Sequence, residues 1–506
     1  MDSTLRVAAI FSDNMVLQRD RYVPVWGSGK DGAVVSLSFG TTRVSARVKN
    51  RVWEVRLPPH AAGEQGDLEI SSGEERLCFK HVLFGDVWFA GGQSNMEMEL
   101  VNCKDGKEEL ARADKPGIRF YQPVKRAFVD EDFLHAEQDC CWQECLPHTA
   151  AALSAVAYFF ARKVNAETGV PIGIINCSWG GTSISTWMSR EQLEKTAAGQ
   201  RCLDDYEAQV NGKTDEQYDA EMNAYFEEWQ AWDTRVRERQ AKEPGVTWEI
   251  LNHECGESPW PQPAGRKSPY HPANLYHSMI CRVAPYGIKG FLYYQGEEDE
   301  SRAKDYGELM GYLIDQWRRD WRDDTLPFLF VQLPMYASKK EIDDRTVTEN
   351  WPVLREKQYK ISRIVAHTGM AVIIDRGEFD NIHPLDKQTV GFRLSLQALE
   401  KVYGKPLVAD GPVFSHAVRE KDALRVYFAN AGDGLEARGE LSGFEVAGED
   451  GVYHPGAAAI DGATVLVSAE GVAEPKHVRY CWVKYGPTPL FAKNGLPVMP
   501  FRSTGG

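Results

Sequence analysis

Val82-Leu83-Phe84-Gly85-Asp86-Val87-Trp88-Phe89-Ala90 runs without a break into Gly91-Gly92-Gln93-Ser94-Asn95-Met96. The first nine residues are apolar except at Gly85 and Asp86, which is how a strand buried on both faces reads. The two glycines and the polar residues after them end the run in a turn. Working outward, four more short apolar runs occur at 172–177, 288–294, 328–333 and 370–375. Long helical stretches separate them, and that alternation predicts a parallel sheet covered by helices, an α/β fold. One such stretch, 301–321, carries Tyr306, Leu309, Met310, Leu313, Ile314, Trp317 and Trp321 on one face, a core-packing stripe.

The flanks differ. Residues 1–85 alternate apolar and polar side chains in short runs such as Val35-Ser36-Leu37-Ser38-Phe39, predicting an N-terminal β-sandwich. Residues 86–404 are the catalytic α/β candidate, with a polar helical insertion at about 189–267 in which 218–240 reads as helical-hairpin material. Strand alternation returns over 405–506, as in Thr464-Val465-Leu466-Val467, predicting a C-terminal β domain.

Composition narrows the function classes. The net charge is −15 and no basic run is interleaved with aromatics, which disfavours nucleic acid and anionic membrane as partners. No segment approaches the roughly 18 apolar residues of a membrane span, and the first residues carry no export-signal pattern, so a cytoplasmic protein is expected. The 10 cysteines lack a repeating ligand spacing, and even the Cys140-Cys141-Cys145 cluster reads as reduced thiols rather than a metal site.

Chemistry is expected in the loops at the carboxyl ends of the strands. Ser94 follows the first strand. The second loop, Ser178-Trp179-Gly180-Gly181-Thr182, brings two glycines whose N–H groups can approach a substrate. The third, Gln295-Gly296-Glu297-Glu298-Asp299, offers a side-chain amide of the kind that completes an oxyanion hole. The last, Asp380-Asn381-Ile382-His383-Pro384, sets a carboxylate three residues before an imidazole. A serine hydroxyl needs a base, and the base needs a group to hold its tautomer, so Ser94, His383 and Asp380 are the candidate catalytic residues. Ser94, Gly180, Gly181 and Gln295 are the candidate oxyanion donors. Asn95, Trp179, Trp187 and Tyr294 are candidate substrate contacts, the aromatics as sugar-stacking surfaces.

Other readings of the same residues are a cation site in the acidic run 297–300 and a glycosidase acid at Glu97 or Glu297, for which no partner carboxylate stands out. A serine mechanism with an amide oxyanion hole calls for no metal or cofactor. The Gly-x-Ser-x-Gly elbow of α/β-hydrolases is incomplete, because Met96 stands at its second glycine.

These blocks resemble the SGNH (GDSL-like) hydrolase superfamily and, within it, the sialate O-acetylesterase family of carbohydrate esterases. The resemblance rests on Phe11-Ser12-Asp13-Asn14-Met15-Val16-Leu17-Gln18-Arg19, Pro24-Val25-Trp26-Gly27, Gly92-Gln93-Ser94-Asn95-Met96, Ser178-Trp179-Gly180-Gly181-Thr182 and Tyr294-Gln295-Gly296-Glu297. Asp380-x-x-His383-Pro384 with Lys387, Val390 and Gly391, and the tail Gly495-Leu496-Pro497 with Pro500-Phe501-Arg502, complete it. It implies an O-acetylated carbohydrate substrate, either sialic acid or an acetylated xylo- or manno-oligosaccharide, deacetylated by Ser94, His383 and Asp380. Gln295 stands where many relatives have asparagine, and Glu298-Asp299 replaces an expected Ser-Asn. Rival expectations are a glycan-binding protein with an idle triad and an esterase for lipids or thioesters, which calls for a long apolar groove.

Overall fold

A computed structural model of the chain describes residues 4–243 and 246–504. The Glu75–Gly92 strand is the centre of the main sheet. Across the sheet the order is Gln143–Cys145, Lys115–Tyr121, Ile172–Ser178, Glu75–Gly92, Gly290–Tyr294, Phe328–Gln332, Thr368–Val372. All neighbours in that path are parallel except Gln143–Cys145, which pairs antiparallel at the edge. All five expected strands are present, while Lys115–Tyr121 and Gln143–Cys145 escaped the sequence reading because neither is a continuous apolar run: the first opens on Lys-Pro-Gly and carries Arg119, and the second is three residues with Gln143 and Glu144.

Helices cover both faces. Consecutive strand residues point to opposite sides, and Trp88 meets Phe160 of the Ala155–Thr168 helix while Phe89 meets Trp317 of the Ala303–Asp320 helix and Trp321 just beyond it. The apolar stripe predicted for 301–321 is thus the buried face of Ala303–Asp320, and Glu297–Arg302 ahead of it forms a 3-10 turn.

The chain ahead of the sheet is β-structure, as expected, with antiparallel pairs such as Val23–Ser28 with Val52–Leu57 and Val34–Phe39 with Thr42–Arg47. The boundary expected near residue 85 falls inside the 18-residue Glu75–Gly92 strand, which passes from the N-terminal sheet into the catalytic one. One continuous core, from Leu5 to Met499, includes residues of both. The insertion is helical, with Ala197–Val210 and Trp248–Cys255 flanking Asp215–Lys242, a single 28-residue helix where a hairpin is expected. After Lys387–Lys401 come two four-stranded antiparallel sheets around a second core, which Met335 and Ile374 enter from the catalytic region. No helix of the described residues is long and apolar enough to cross a membrane.

Among the six parallel strands, sequence order across the sheet is second, third, first, fourth, fifth, sixth, so the chain reverses direction at the first strand. That switch point is where an open α/β sheet leaves a crevice beyond its strand ends. Gly92 is in register with Ser178 on one side and Tyr294 on the other, so three loops leave the sheet at the same level.

Candidate active site

Ser94 opens the four-residue helix Ser94–Glu97 at this switch point. The turn before it is fixed from the third loop: Gln93 N donates to Tyr294 O at 3.0 Å, and Gln93 Oε1 accepts from Gly296 N at 3.1 Å. Gly92 permits this close approach, since its φ is +138° and a Cβ there would stand 2.1 Å from Tyr294 O. The Ser94 N–H has no hydrogen-bond partner among the described residues.

The fourth loop delivers the base. His383 Nε2 lies 2.8 Å from Ser94 Oγ. Its backbone N–H donates to Asn381 Oδ1 at 3.0 Å, Asn381 Nδ2 donates to Glu378 Oε2 at 2.7 Å, and Leu385 N donates to Glu378 Oε1 at 2.8 Å. These side-chain braces hold the loop in a shape that places the ring over the serine. Packing around the imidazole, reinforced by the nearby Lys387 ammonium, pushes its pKa down to about 4. The ring is therefore neutral at neutral pH and can accept the hydroxyl proton.

Asn95 joins the loops rather than facing substrate. It is fully buried; Nδ2 donates to Glu297 Oε1 at 2.5 Å and to Ile382 O at 2.9 Å, and Oδ1 accepts from Lys387 Nζ. Burial lowers the Lys387 pKa to about 8 and raises that of Glu297. A buried carboxyl and a buried amine thus face each other through one amide, tying the serine's helix to the Gln295 loop and to the His383 loop.

Other expected contacts are placed differently. Asp380 shares the turn with His383, but its Oδ1 accepts from Lys339 N at 2.8 Å and its Oδ2 from Asn252 Nδ2 at 3.2 Å. Among the described residues no hydrogen bond joins it to His383, so the structure makes the serine–histidine half of the expected triad and not the aspartate half. Gln295 is buried, and its amide donates to Thr182 O at 3.1 Å and Asp299 Oδ2 at 2.5 Å, leaving no free donor for an oxyanion; here it buttresses the glycine loop. Gly180 N–H donates to Glu97 Oε2, and Glu97 Oε1 accepts from Lys125 Nζ. Trp187 and Tyr294 are fully buried, Trp187 donating to Thr182 Oγ1 and Tyr294 lying under Lys387, so neither is a stacking surface. Both sit within the layer between sheet and helices, where a large apolar ring is core. Trp179 is half-buried, with Lys125 Nζ 5.2 Å from its ring centre, and Gly181 borders an open cleft.

Two residues of this neighbourhood escaped the sequence reading, and Glu97, weighed there only as a glycosidase acid, instead joins the Gly180 N–H to Lys125. Asn252 comes from the insertion and carries no spacing signal. Trp260 lies in Pro259-Trp260-Pro261, and an indole between prolines in a polar insertion was the available sign of a fixed, surface-facing ring. Three carboxyls of the acidic run 297–300 are taken up by side chains of the protein, Asn95 holding Glu297, Gln295 holding Asp299 and Lys484 holding Glu300, while Glu298 lines the cleft.

Residues 84–244 and 260–384 match the family model described as carbohydrate esterase, sialic acid-specific acetylesterase. A sialate O-acetylesterase of Mus musculus is 29% identical over 447 residues, covering 81% of this chain and 75% of the relative. The Homo sapiens sialate O-acetylesterase is 27% identical over 441 residues, covering 81% and 73%. Among solved structures, a carbohydrate acetylesterase from Xanthomonas citri is 32% identical, covers 99% of this chain and 100% of its own, and superposes with a TM-score of 0.77. With more than half of its length inside the matched family, the chain belongs to the sialic acid-specific acetylesterase family of carbohydrate esterases.

Proposed function

We propose that this carbohydrate O-acetylesterase removes acetyl groups from O-acetylated sugars by a two-step acyl transfer on Ser94, in an SGNH-type arrangement of four strand-end loops. The observation that carries the reading is the 2.8 Å approach of His383 Nε2 to Ser94 Oγ at the sheet's switch point. A neutral imidazole there takes the hydroxyl proton as Oγ attacks the acetyl carbonyl. The same proton then goes to the departing sugar oxygen. Water, deprotonated by His383, attacks the acetyl-enzyme, and acetate leaves as Oγ recovers a proton.

The tetrahedral oxyanion faces the Ser94 N–H and the glycine loop. Gly180 packs on the serine, since a Cβ on it would lie 3.3 Å from Ser94 Cβ. Its N–H already meets the negative oxygen of Glu97, which thereby occupies the place an oxyanion would take. For Gly180 to serve the reaction, Glu97 releases it and keeps Lys125. Gln295 acts by holding Thr182 rather than by touching the charge. Asp380 is proposed as the acid that steadies His383, reached when its carboxylate leaves Lys339 N and Asn252.

The test is release of acetate from an aryl acetate and from acetylated sugars by Ser94→Ala. Loss of turnover by at least about 10³-fold, with an unchanged circular-dichroism spectrum, is expected. Turnover within about tenfold of the parent enzyme would remove the proposal. The relatives named sialate O-acetylesterases suggest sialic acid as the sugar, while the catalytic geometry described above is the same for any acetylated hydroxyl.

A further inference from the structure

Beside the glycine loop a cleft of about 630 Å³ opens between the catalytic strand ends and the helical insertion. Gly181 forms its inner edge, one residue on from the glycine that packs against Ser94. The long insertion helix supplies Tyr225 and Glu228, the segment after Trp248–Cys255 supplies Trp260, and the 3-10 turn supplies Glu298 and Arg302.

Trp260 is built into this position. A Cβ on Gly181 would stand 2.1 Å from the indole's Cη2, so the ring lies directly on the glycine, whose φ of +69° favours that residue in any case. Tyr270 meets the ring edge-on at 5.5 Å, and Tyr225 OH donates to Pro259 O at 3.0 Å, bracing the loop that carries it. Yet Trp260 is 50% exposed. A braced, half-exposed indole against the glycine loop that packs on Ser94 offers a flat apolar face to the C–H face of a sugar ring.

The charges of the wall select among sugars. Its ionisable carboxyls are Glu221, Glu228 and Glu298, and its cation is Arg302. Arg302 is paired with Asp205 at 3.1 Å and Glu221 with Lys213 at 2.7 Å. Glu228 is exposed and is in no ion pair among the described residues. Burial, with Asp299 behind it, raises the Glu298 pKa to about 8, which keeps it largely protonated at neutral pH and able to donate to a hydroxyl. Of the cations near Ser94, Lys125 is held by Glu97, and buried Lys387 is held by Asn95. A sugar carboxylate entering this cleft meets Glu228 and finds no uncommitted cation, and an unpaired charge taken out of water is costly.

We propose that the cleft seats the uncharged pyranose residues of an acetylated neutral oligosaccharide, stacked on Trp260, in preference to an acetylated sugar acid such as sialic acid. This rests on the acyl-transfer reading of Ser94. The experiment compares the full chain on 4-nitrophenyl acetate, acetylated xylo-oligosaccharides and O-acetylated sialic acid. The neutral oligosaccharide is expected to exceed the sialic acid in kcat/KM by about tenfold or more. Trp260→Ala should lower the oligosaccharide-to-aryl-acetate ratio of kcat/KM about tenfold, mostly through KM. Glu228→Lys, on an exposed helix position, should raise the rate on the sialic acid relative to the neutral sugar by about threefold. Aryl-acetate turnover with equal or better use of sialic acid overturns the cleft assignment alone, as does an unchanged ratio in both variants. Absence of turnover on all three substrates overturns the acyl-transfer reading and this inference with it.

Discussion

At the scale of single residues, the pair that matters is Ser94 and His383, which the chain carries 289 positions apart and the fold brings to 2.8 Å. Because packing depresses the His383 pKa to about 4 from an ordinary 6.5, kcat/KM should stay level from neutral pH to below 6.5 and fall only on approach to the lower value. An inflection at or above 6.5 contradicts this. The stability linkage has the same sign: the unfolded chain takes up a proton first as pH falls, so His383's contribution is complete above 6.5 and is lost down to about 4. Asp380 is tested by Asp380→Asn. If its carboxylate steadies the imidazole during turnover, kcat falls on the order of 10³- to 10⁴-fold with KM little changed. A loss under tenfold accompanied by a lower Tm would assign it only the bracing of Lys339 and Asn252 that the free enzyme displays. The serine, the histidine and their four loops were legible in the sequence, because strand ends, glycines and polar turns are local signals. The hydrogen-bond commitments of Gln295, Asn95 and Asp380 were not, since each depends on a partner more than 40 residues away or on burial that no local pattern encodes.

At the scale of elements, the site exists because three strand ends stop at one level around Gly92. Gly92→Ala would press a Cβ into the Tyr294 carbonyl, a backbone atom that cannot swing aside, at a φ that side chains rarely adopt. Denaturant unfolding should show a loss on the order of 3 kcal/mol, and activity should fall further as the serine's turn shifts. A variant of parental stability contradicts the register argument. Five of the six parallel strands could be read from their apolar runs, and the Ala303–Asp320 helix from its period. The long Asp215–Lys242 helix was misread as a hairpin because its surface is polar nearly all round, so its sequence carries no stripe to mark where a single helix continues.

At the scale of the whole molecule, the three expected parts are mechanically joined. One 18-residue strand belongs to both the N-terminal and the catalytic sheets, and Met335 and Ile374 enter the C-terminal core. Buried Arg355 donates to Pro334 O at 3.4 Å and to Val483 O, and Lys484 reaches Glu300 and Glu341, adding polar ties across the same junction. Urea unfolding followed by tryptophan fluorescence and by far-ultraviolet circular dichroism should therefore give one coincident transition. Two separated transitions would mean that the parts fold independently. Composition announced β, α/β and β regions in that order; it could not announce the shared strand, because an apolar run looks the same whether it ends one sheet or continues into the next.

The central claim, that Ser94 carries the acetyl group, is tested most directly by mixing the enzyme with excess aryl acetate, quenching in acid within the first turnovers and mapping the peptides by mass spectrometry. The account predicts a burst of phenol with an acetyl group on the peptide that contains Ser94, and neither in Ser94→Ala. Acetylation of another residue in step with turnover, or undiminished turnover by Ser94→Ala, would contradict it.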